Sequence, residues 1–229
     1  MSEWYSEETA VRYAEQTADP QVGWFESEVN FPDVLRLIPE AARAVLDFGC
    51  GPGEFTQRLS EHFTVVGTDI DPMVSIARKN HPNVSFFEWN GVFPVPQEMA
   101  EYDVVFCKLV IQFFENLHPV LMNFRGILKA NGVVVCSVPH PDRIAKKLGM
   151  AKDAVAQYQD TIGDTGIVIR PFYRSQHAYV EAFTRAGFTL AEVSEPYISE
   201  DVLQKHAVPS GYNDMPNRLN MRFTKTPRA

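Results

Sequence analysis

One stretch of nine residues constrains this chain more than any other. Val45-Leu46-Asp47-Phe48 is a short apolar run that feeds straight into Gly49-Cys50-Gly51-Pro52-Gly53, and beyond the last glycine Phe55 and Leu59 fall on one helical face. A buried strand, a Gly-rich turn and a helix in immediate succession describe one βα unit, in which glycines admit φ > 0 and let a ligand come close to the backbone.

The pattern then repeats. Thr64-Val65-Val66-Gly67 reads as a β-branched strand ending at Asp69, and Pro72 stands where a first helical turn tolerates it, ahead of Met73, Ile76 and Ala77. Val84-Ser85-Phe86-Phe87 makes a third strand and Tyr102-Asp103-Val104-Val105-Phe106-Cys107 a fourth. After His118 and Pro119, Val120, Leu121, Phe124, Ile127 and Leu128 mark a helical face that stops at Asn131-Gly132, a turn and C-cap signal; 133–138 is a fifth, very apolar strand. Strands alternating with helices at this spacing imply right-handed crossovers, hence a doubly wound, Rossmann-like α/β domain with helices on both faces of a parallel sheet.

The alternation lapses after Pro139. Residues 141–174 are expected to form an insertion over the active face, with an amphipathic helix through Ile144, Leu148, Ala151 and Val155 and a turn-rich Gly163-Asp164-Thr165-Gly166. Ser175 then N-caps a helix with Tyr179, Ala182 and Phe183 inward, ended by Gly187; 189–193 and 218–223 fit an antiparallel hairpin at the sheet edge.

Composition narrows the partners. A net charge of -8 opposes a phosphate backbone, and the densest basic cluster, Arg143, Lys146 and Lys147, is short. The three cysteines, Cys50, Cys107 and Cys136, have neither paired nor metal-ligand spacing, so no disulfide framework and no metal site are expected. With no apolar leader and no run of membrane-spanning length, a cytoplasmic location and no membrane partner are expected.

The loop carries the chemistry. Its third glycine falls four residues after its first, where a dinucleotide fingerprint has five, and Glu54 takes that place. Asp47 and Glu54 flank the loop, an awkward setting for a pyrophosphate and a welcoming one for an ammonium and a sulfonium. Asp69, twenty residues after Gly49, can accept hydrogen bonds from the ribose hydroxyls of an adenosyl or an NAD cofactor. Asn90-Gly91 follows the third strand, where an Asn side chain can accept from an adenine amino group and donate to a ring nitrogen.

Taken in order, Val45 to Gly53, then Val66-Gly67-Thr68-Asp69-Ile70-Asp71-Pro72-Met73, then Tyr102-Asp103-Val104-Val105 and Ile127-Leu128-Lys129-Ala130-Asn131-Gly132 resemble the motifs of class I S-adenosylmethionine-dependent methyltransferases. The likeness runs from about residue 40 to 140, with a fainter echo at Gly187-Phe188 and the last strands. It implies a seven-stranded sheet with a reversed last strand. The expected layout over 1–229 is a helical lid at 1–40, a cofactor-binding core at 41–140, a substrate cap at 141–174, and a C-terminal helix and hairpin at 175–229. The resemblance further implies that Asp47, Gly49, Cys50, Gly51 and Gly53 hold the methionine part of S-adenosylmethionine, Asp69 the ribose and Asn90 the adenine. Ile70, Gly91 and Lys108 complete the expected cofactor set. The family often carries Asp where Asn90 stands and Pro-Gly-Gly where Ala130-Asn131-Gly132 stands. The N-terminal Trp4, Tyr5, Arg12, Tyr13, Trp24 and Phe25 resemble the helical lid of small-molecule members, with Tyr13 near the methionine end; an aromatic helix packed on the sheet edge is the alternative.

Methyl transfer is an in-line displacement at a sulfonium, so alignment dominates, and a general base is needed mainly for hydroxyl acceptors. Lys108, Gln112, His140, Tyr173 and His177 are candidates for aligning or deprotonating the acceptor, with His140, Tyr173 and His177 the expected catalytic residues. His62, His81 and His118 read as surface residues and Cys50 as loop packing. The expected function is transfer of a methyl group to an oxygen or nitrogen of a small metabolite by a monomer or homodimer. An RNA or protein methyltransferase and an NAD(P)-dependent oxidoreductase are the alternatives.

Overall fold

The computed structural model describes residues 6–96, 99, 101–151, 155–162, 166–209 and 211–227; Trp4, Tyr5 and the turn at 163–165 lie outside these. The chain opens with helices α1 (Glu7–Ala18) and α2 (Pro20–Trp24), a π-helical turn (Phe25–Asn30) and α3 (Phe31–Leu37). Ser6 caps α1 by accepting from the Thr9 amide, and Glu7 and Glu8 sit at its positive end. The predicted units follow: β1 (Ala44–Phe48), α4 (Glu54–Ser60), β2 (Thr64–Asp69), α5 (Met73–Asn80), β3 (Ser85–Glu88), β4 (Tyr102–Lys108), a 3-10 turn (Ile111–Phe113), α6 (His118–Ile127) and β5 (Leu128–Pro139).

Strand order is β3-β2-β1-β4-β5 for this part, all parallel. Alternate side chains divide between two faces, as the pleat requires. Leu46, Val105, Cys107, Val134 and Cys136 pack with Val120, Leu121 and Phe124 of α6. Val45, Val104, Phe106, Val133 and Val135 pack with Val34 and Leu37 of α3 and Leu59 of α4. Both faces are thus covered, which is the doubly wound arrangement.

The turn expected at Asn131-Gly132 is corrected. Helix α6 ends at Ile127 with Leu128 already extended, and 128–133 becomes an irregularity inside β5, where the pairing with β4 jumps from Tyr102↔Leu128 to Val104↔Val133. The insertion helix is also shorter than its periodicity suggests. Helix α7 (Pro141–Leu148) ends at Gly149, whose φ of 63° is left-handed, so Ala151 and the exposed Val155 lie beyond it. Two short antiparallel ladders follow instead, β6 (Ala156–Gln157) with β9 (Phe172–Tyr173) around β7 (Asp160–Ile162) with β8 (Ile167–Ile169).

Helix α8 (Gln176–Arg185), capped by Ser175, buries Tyr179 and Phe183 against the sheet. The closing strands β10 (Phe188–Ser194) and β11 (Arg218–Lys225) flank a short α9 (Glu200–Lys205) and pair antiparallel as expected. The last strand, however, is not at the rim. It lies between β10 and β5, antiparallel to both, so the seven-stranded order is β3-β2-β1-β4-β5-β11-β10. β11 is therefore buried on both sides and carries Leu219, Asn220, Met221 and Phe223 at 0% exposure.

Candidate functional site

The carboxyl ends of β1 and β4 meet the N-terminal helices around a cavity of about 440 Å³. Its floor is the turn after β1. Gly49, Gly51 and Gly53 all have positive φ (72°, 56° and 94°), but they serve different purposes. A Cβ on Gly49 would collide with Val110 and one on Gly53 with His81, so these two are demanded by packing. At Gly51 the nearest atom to an added Cβ is Tyr13 Cε1 of α1 at 3.6 Å, an ordinary contact, so this position is not crowded.

Asp69 at the end of β2 fixes that turn. Its Oδ2 accepts from the Gly51 amide and its Oδ1 from the Ile70 amide, both at 2.7 Å. Burial pushes its carboxyl up to about 6 in spite of these two donors. Asp47, 2% exposed, accepts from Thr56 Oγ1 at 2.7 Å. Burial drives it up to about 7, against the pull of Thr56 and Lys108 and with a push from Asp69. Tyr13 on α1 is raised to about 12 by burial and by the carboxylates of Glu26 and Asp69.

Lys108, at the end of β4, also lines the cavity, 3.5 Å from Glu26 Oε2 and 4.1 Å from the Phe55 ring centroid. Glu26 belongs to the π-helical turn, a form that recurs at functional sites because its widened turn re-aims side chains. Burial opposes ionisation of Glu26, yet the Arg218 guanidinium, Lys108 and the Asn30 amide hold it down to about 2. Arg218 of β11 grips one Glu26 oxygen through both Nε and Nη2. Asn30, fully buried, donates to Glu26 Oε2 at 2.9 Å and to Ser137 Oγ of β5 at 3.2 Å, and accepts from Asn220 of β11 at 2.9 Å. A polar ladder thus wires the lid to β5 and β11.

Sequence reasoning brought Tyr13, Asp47, Gly49, Cys50, Gly51 and Lys108 to one place, and all six line the cavity. Asp69, Ile70, Asn90, Gly91 and Gly53 are not in that lining. Asp69 reaches it by accepting from the Gly51 amide, and Ile70 donates its own amide to Asp69. Asn90 accepts from the amides of Val92 and Phe93 at 3.0 and 3.1 Å, bracing its own loop, and Gly91 is tight against Phe48 and Val120. Glu26, Arg218 and Gln16 were missed. Gln16 lines the cavity with a buried carbonyl oxygen that has no partner in the described structure.

The three expected catalytic residues do not meet at this cavity. His140 caps α7: Nδ1 accepts from the Asp142 amide at 3.3 Å, which leaves Nε2 to donate to Glu195 at 3.2 Å. Both nitrogens are occupied in a ring 6% exposed. Tyr173 is buried among Ile144, Ala145, Met150 and Tyr158, and His177 lies exposed on α8. His140 does line a second cavity of about 710 Å³, on the insertion side, together with Gln112; Arg218 is common to the linings of both cavities.

The donor set fits a sulfonium amino acid. Four carboxylates (Asp19, Glu26, Asp47, Glu54) against three cations line the first cavity, with an orphaned Gln16 carbonyl and an uncrowded Gly51. Such a rim suits a cationic ligand and opposes a pyrophosphate.

Comparisons with known proteins agree. A family model described as a methyltransferase domain matches residues 25–193. The chain is 30% identical over 156 residues to a trans-aconitate 2-methyltransferase of Methylobacterium radiotolerans, covering 64% of this chain and 58% of that protein. It is 32% identical over 109 residues to a malonyl-[acyl-carrier protein] O-methyltransferase of Halalkalibacterium halodurans, covering 44% and 40%. The chain thus spans about half the length of these curated relatives. Among solved structures, an S-adenosylmethionine-dependent methyltransferase from Mesorhizobium loti superposes with a TM-score of 0.65 at 20% identity, covering 85% of this chain and 96% of that one. The fold is that of solved S-adenosylmethionine-dependent methyltransferases. The chain belongs to the methyltransferase domain family. Among the described residues no helix is long and apolar enough to cross a membrane, and no group of side chains could hold a metal ion.

Proposed function

We propose that this chain transfers the methyl group of S-adenosylmethionine to an oxygen or nitrogen of a small acceptor. The observation that carries the reading is the uncrowded, left-handed Gly51, braced by Asp69 and set in an acidic cavity under the lid. When bound, the cofactor supplies an electrophilic methyl on a sulfur ready to leave. The residues of this chain have the remaining tasks. Gly51 allows backbone approach, Asp47 and Glu26 supply negative charge for an ammonium and a sulfonium, and Asp69 holds the turn while facing the ribose. Helices α1 and α2, tied down through Glu26 and Asn30, exclude water and fix the line of attack, and alignment of this kind contributes about 7–11 kcal/mol. The test is calorimetric titration with S-adenosylhomocysteine and, separately, NADH. Binding of the first alone supports the reading; binding of NADH alone overturns it.

A further inference from the structure

The second cavity differs from the first in sign. Four cationic side chains (Arg143, Lys146, Lys147, Arg218) and two carboxylates (Asp160, Asp214) line it, in a chain whose overall charge is -8. It lies where β4 and β5 end, with Gln112 from the 3-10 turn after β4 and Pro139 and His140 from the end of β5 in its wall. Arg218 lines both this cavity and the cofactor cavity, which places the two side by side: its Nε and Nη2 are spent on Glu26 and its Nη1 donates to Asn217 O at 3.0 Å.

Gln112 is the anomaly in that wall. It is 5% exposed, and its side-chain carbonyl oxygen is buried with no hydrogen-bond partner. Leaving such a group unmet costs about 1–3 kcal/mol, which proteins avoid unless something else meets it. A partner for that oxygen must bring an O–H or N–H. Of the groups in the wall that could take a proton, the Asp214 carboxylate stands beside Gly211 and the others are engaged or hold their own proton. His140 has both nitrogens occupied, Asp160 is paired with Lys147 at 2.8 Å, and burial, aided by Asp160, holds the Tyr158 phenol up at about 12. The excess of cations in the lining favours an acceptor that arrives already ionised.

We infer that this second cavity docks the methyl acceptor, that the acceptor is a small hydroxy- or amino-substituted carboxylate, and that Gln112 selects it by accepting a hydrogen bond from its hydroxyl or amino group. This rests on the methyl-transfer reading above. In the reaction a carboxylate oxygen forms the new C–O bond to the methyl carbon as the C–S bond breaks. The bonding pair passes to sulfur, which becomes a neutral thioether, the carboxylate becomes a methyl ester, and no proton has to be removed. The positive lining offsets the acceptor's charge until it is neutralised by transfer.

Two matched pairs of probes test the inference: malate against succinate, and citrate against tricarballylate, each pair differing by one hydroxyl. Binding is read by thermal shift with and without S-adenosylhomocysteine, and transfer by release of S-adenosylhomocysteine from S-adenosylmethionine. The hydroxylated member of a pair should bind about tenfold more tightly than its partner in the wild-type chain. Gln112→Leu, of similar volume, should erase that preference while leaving S-adenosylhomocysteine affinity within twofold and thermal stability equal or higher, since it removes an unmet buried oxygen. Equal affinity within both pairs, or a preference that survives Gln112→Leu, overturns the role of Gln112. Failure of all four carboxylates to shift the protein overturns the acceptor class. Because the carboxylates are read without cofactor as well, loss of S-adenosylhomocysteine binding in the wild-type chain is a separate result, which sinks the methyl-transfer reading alone.

Discussion

At the scale of single residues, the three loop glycines look interchangeable in sequence and are not. All three are left-handed, but Gly49 and Gly53 are also crowded by their neighbours, whereas at Gly51 an added Cβ would meet Tyr13 only at ordinary contact distance. Gly51→Ala should cost about 1–2 kcal/mol of stability, the penalty of a Cβ in that region, while S-adenosylhomocysteine affinity falls at least tenfold; calorimetry beside a thermal melt separates the two. Asp69→Ala should weaken the same ligand by one to a few kcal/mol, since it releases the Gly51 and Ile70 amides as well as the contact offered to ribose hydroxyls. Unchanged affinity in calorimetry would refute that assignment. Asp47 offers a reading in pH. If an ammonium draws its proton off on binding, a carboxyl standing at about 7 makes affinity rise about tenfold from pH 6 to pH 8. Titrations in buffers of different ionisation enthalpy should register the released proton, and Asp47→Asn should flatten the profile.

At the scale of elements, the strands were legible because their apolar β-branched runs are interrupted by glycine and by the acids at their carboxyl ends. That is why β1 to β5 and the turn after β1 could be read directly. Elements specified by distant partners were not legible. The two-residue ladders of the insertion have no periodicity to betray them, and Gly149 stops α7 before the apolar spacing runs out. His140 was read as chemistry because it follows a strand and histidine is the commonest general base; only the fold shows Asp142 and Glu195 on either side of it. Glu26 and Arg218 are separated by 192 positions, so no local pattern could join them. The lid has a second fastening that was equally invisible. Trp24 stacks on His206 at 4.4 Å, and Glu28 meets Lys205 and His206 at the C-terminal end of α9. His206→Ala should leave the global melting temperature nearly unchanged but speed proteolytic cleavage within the lid and raise the dissociation rate of S-adenosylhomocysteine. An unaltered cleavage pattern would show that the stack does not restrain the lid.

At the scale of the whole molecule, the buried carboxylates pull stability in opposite directions with pH. Asp47 and Asp69 are raised, so below their ordinary value of 3.8 they cost nothing, and their favourable effect is lost as pH climbs through about 6 and 7, where the folded chain must ionise them without water. Glu26 is lowered, so its contribution is present above 4.5 and disappears as pH falls towards about 2. Melting temperature without ligand should therefore decline from pH 5 to pH 8, and Asp47→Asn should lessen that decline. A slope that Asp47→Asn leaves untouched would place the titrating group elsewhere.

The tucked-in last strand has a consequence in time. During synthesis Glu26 leaves the ribosome 192 residues ahead of the guanidinium that neutralises it, and β11 can take its place only after β5 and β10 already exist to flank it. The residue common to both cavities is thus among the final pieces to be laid, and a nascent chain cut short before Arg218 would carry a complete glycine turn and yet lack the cation that holds Glu26.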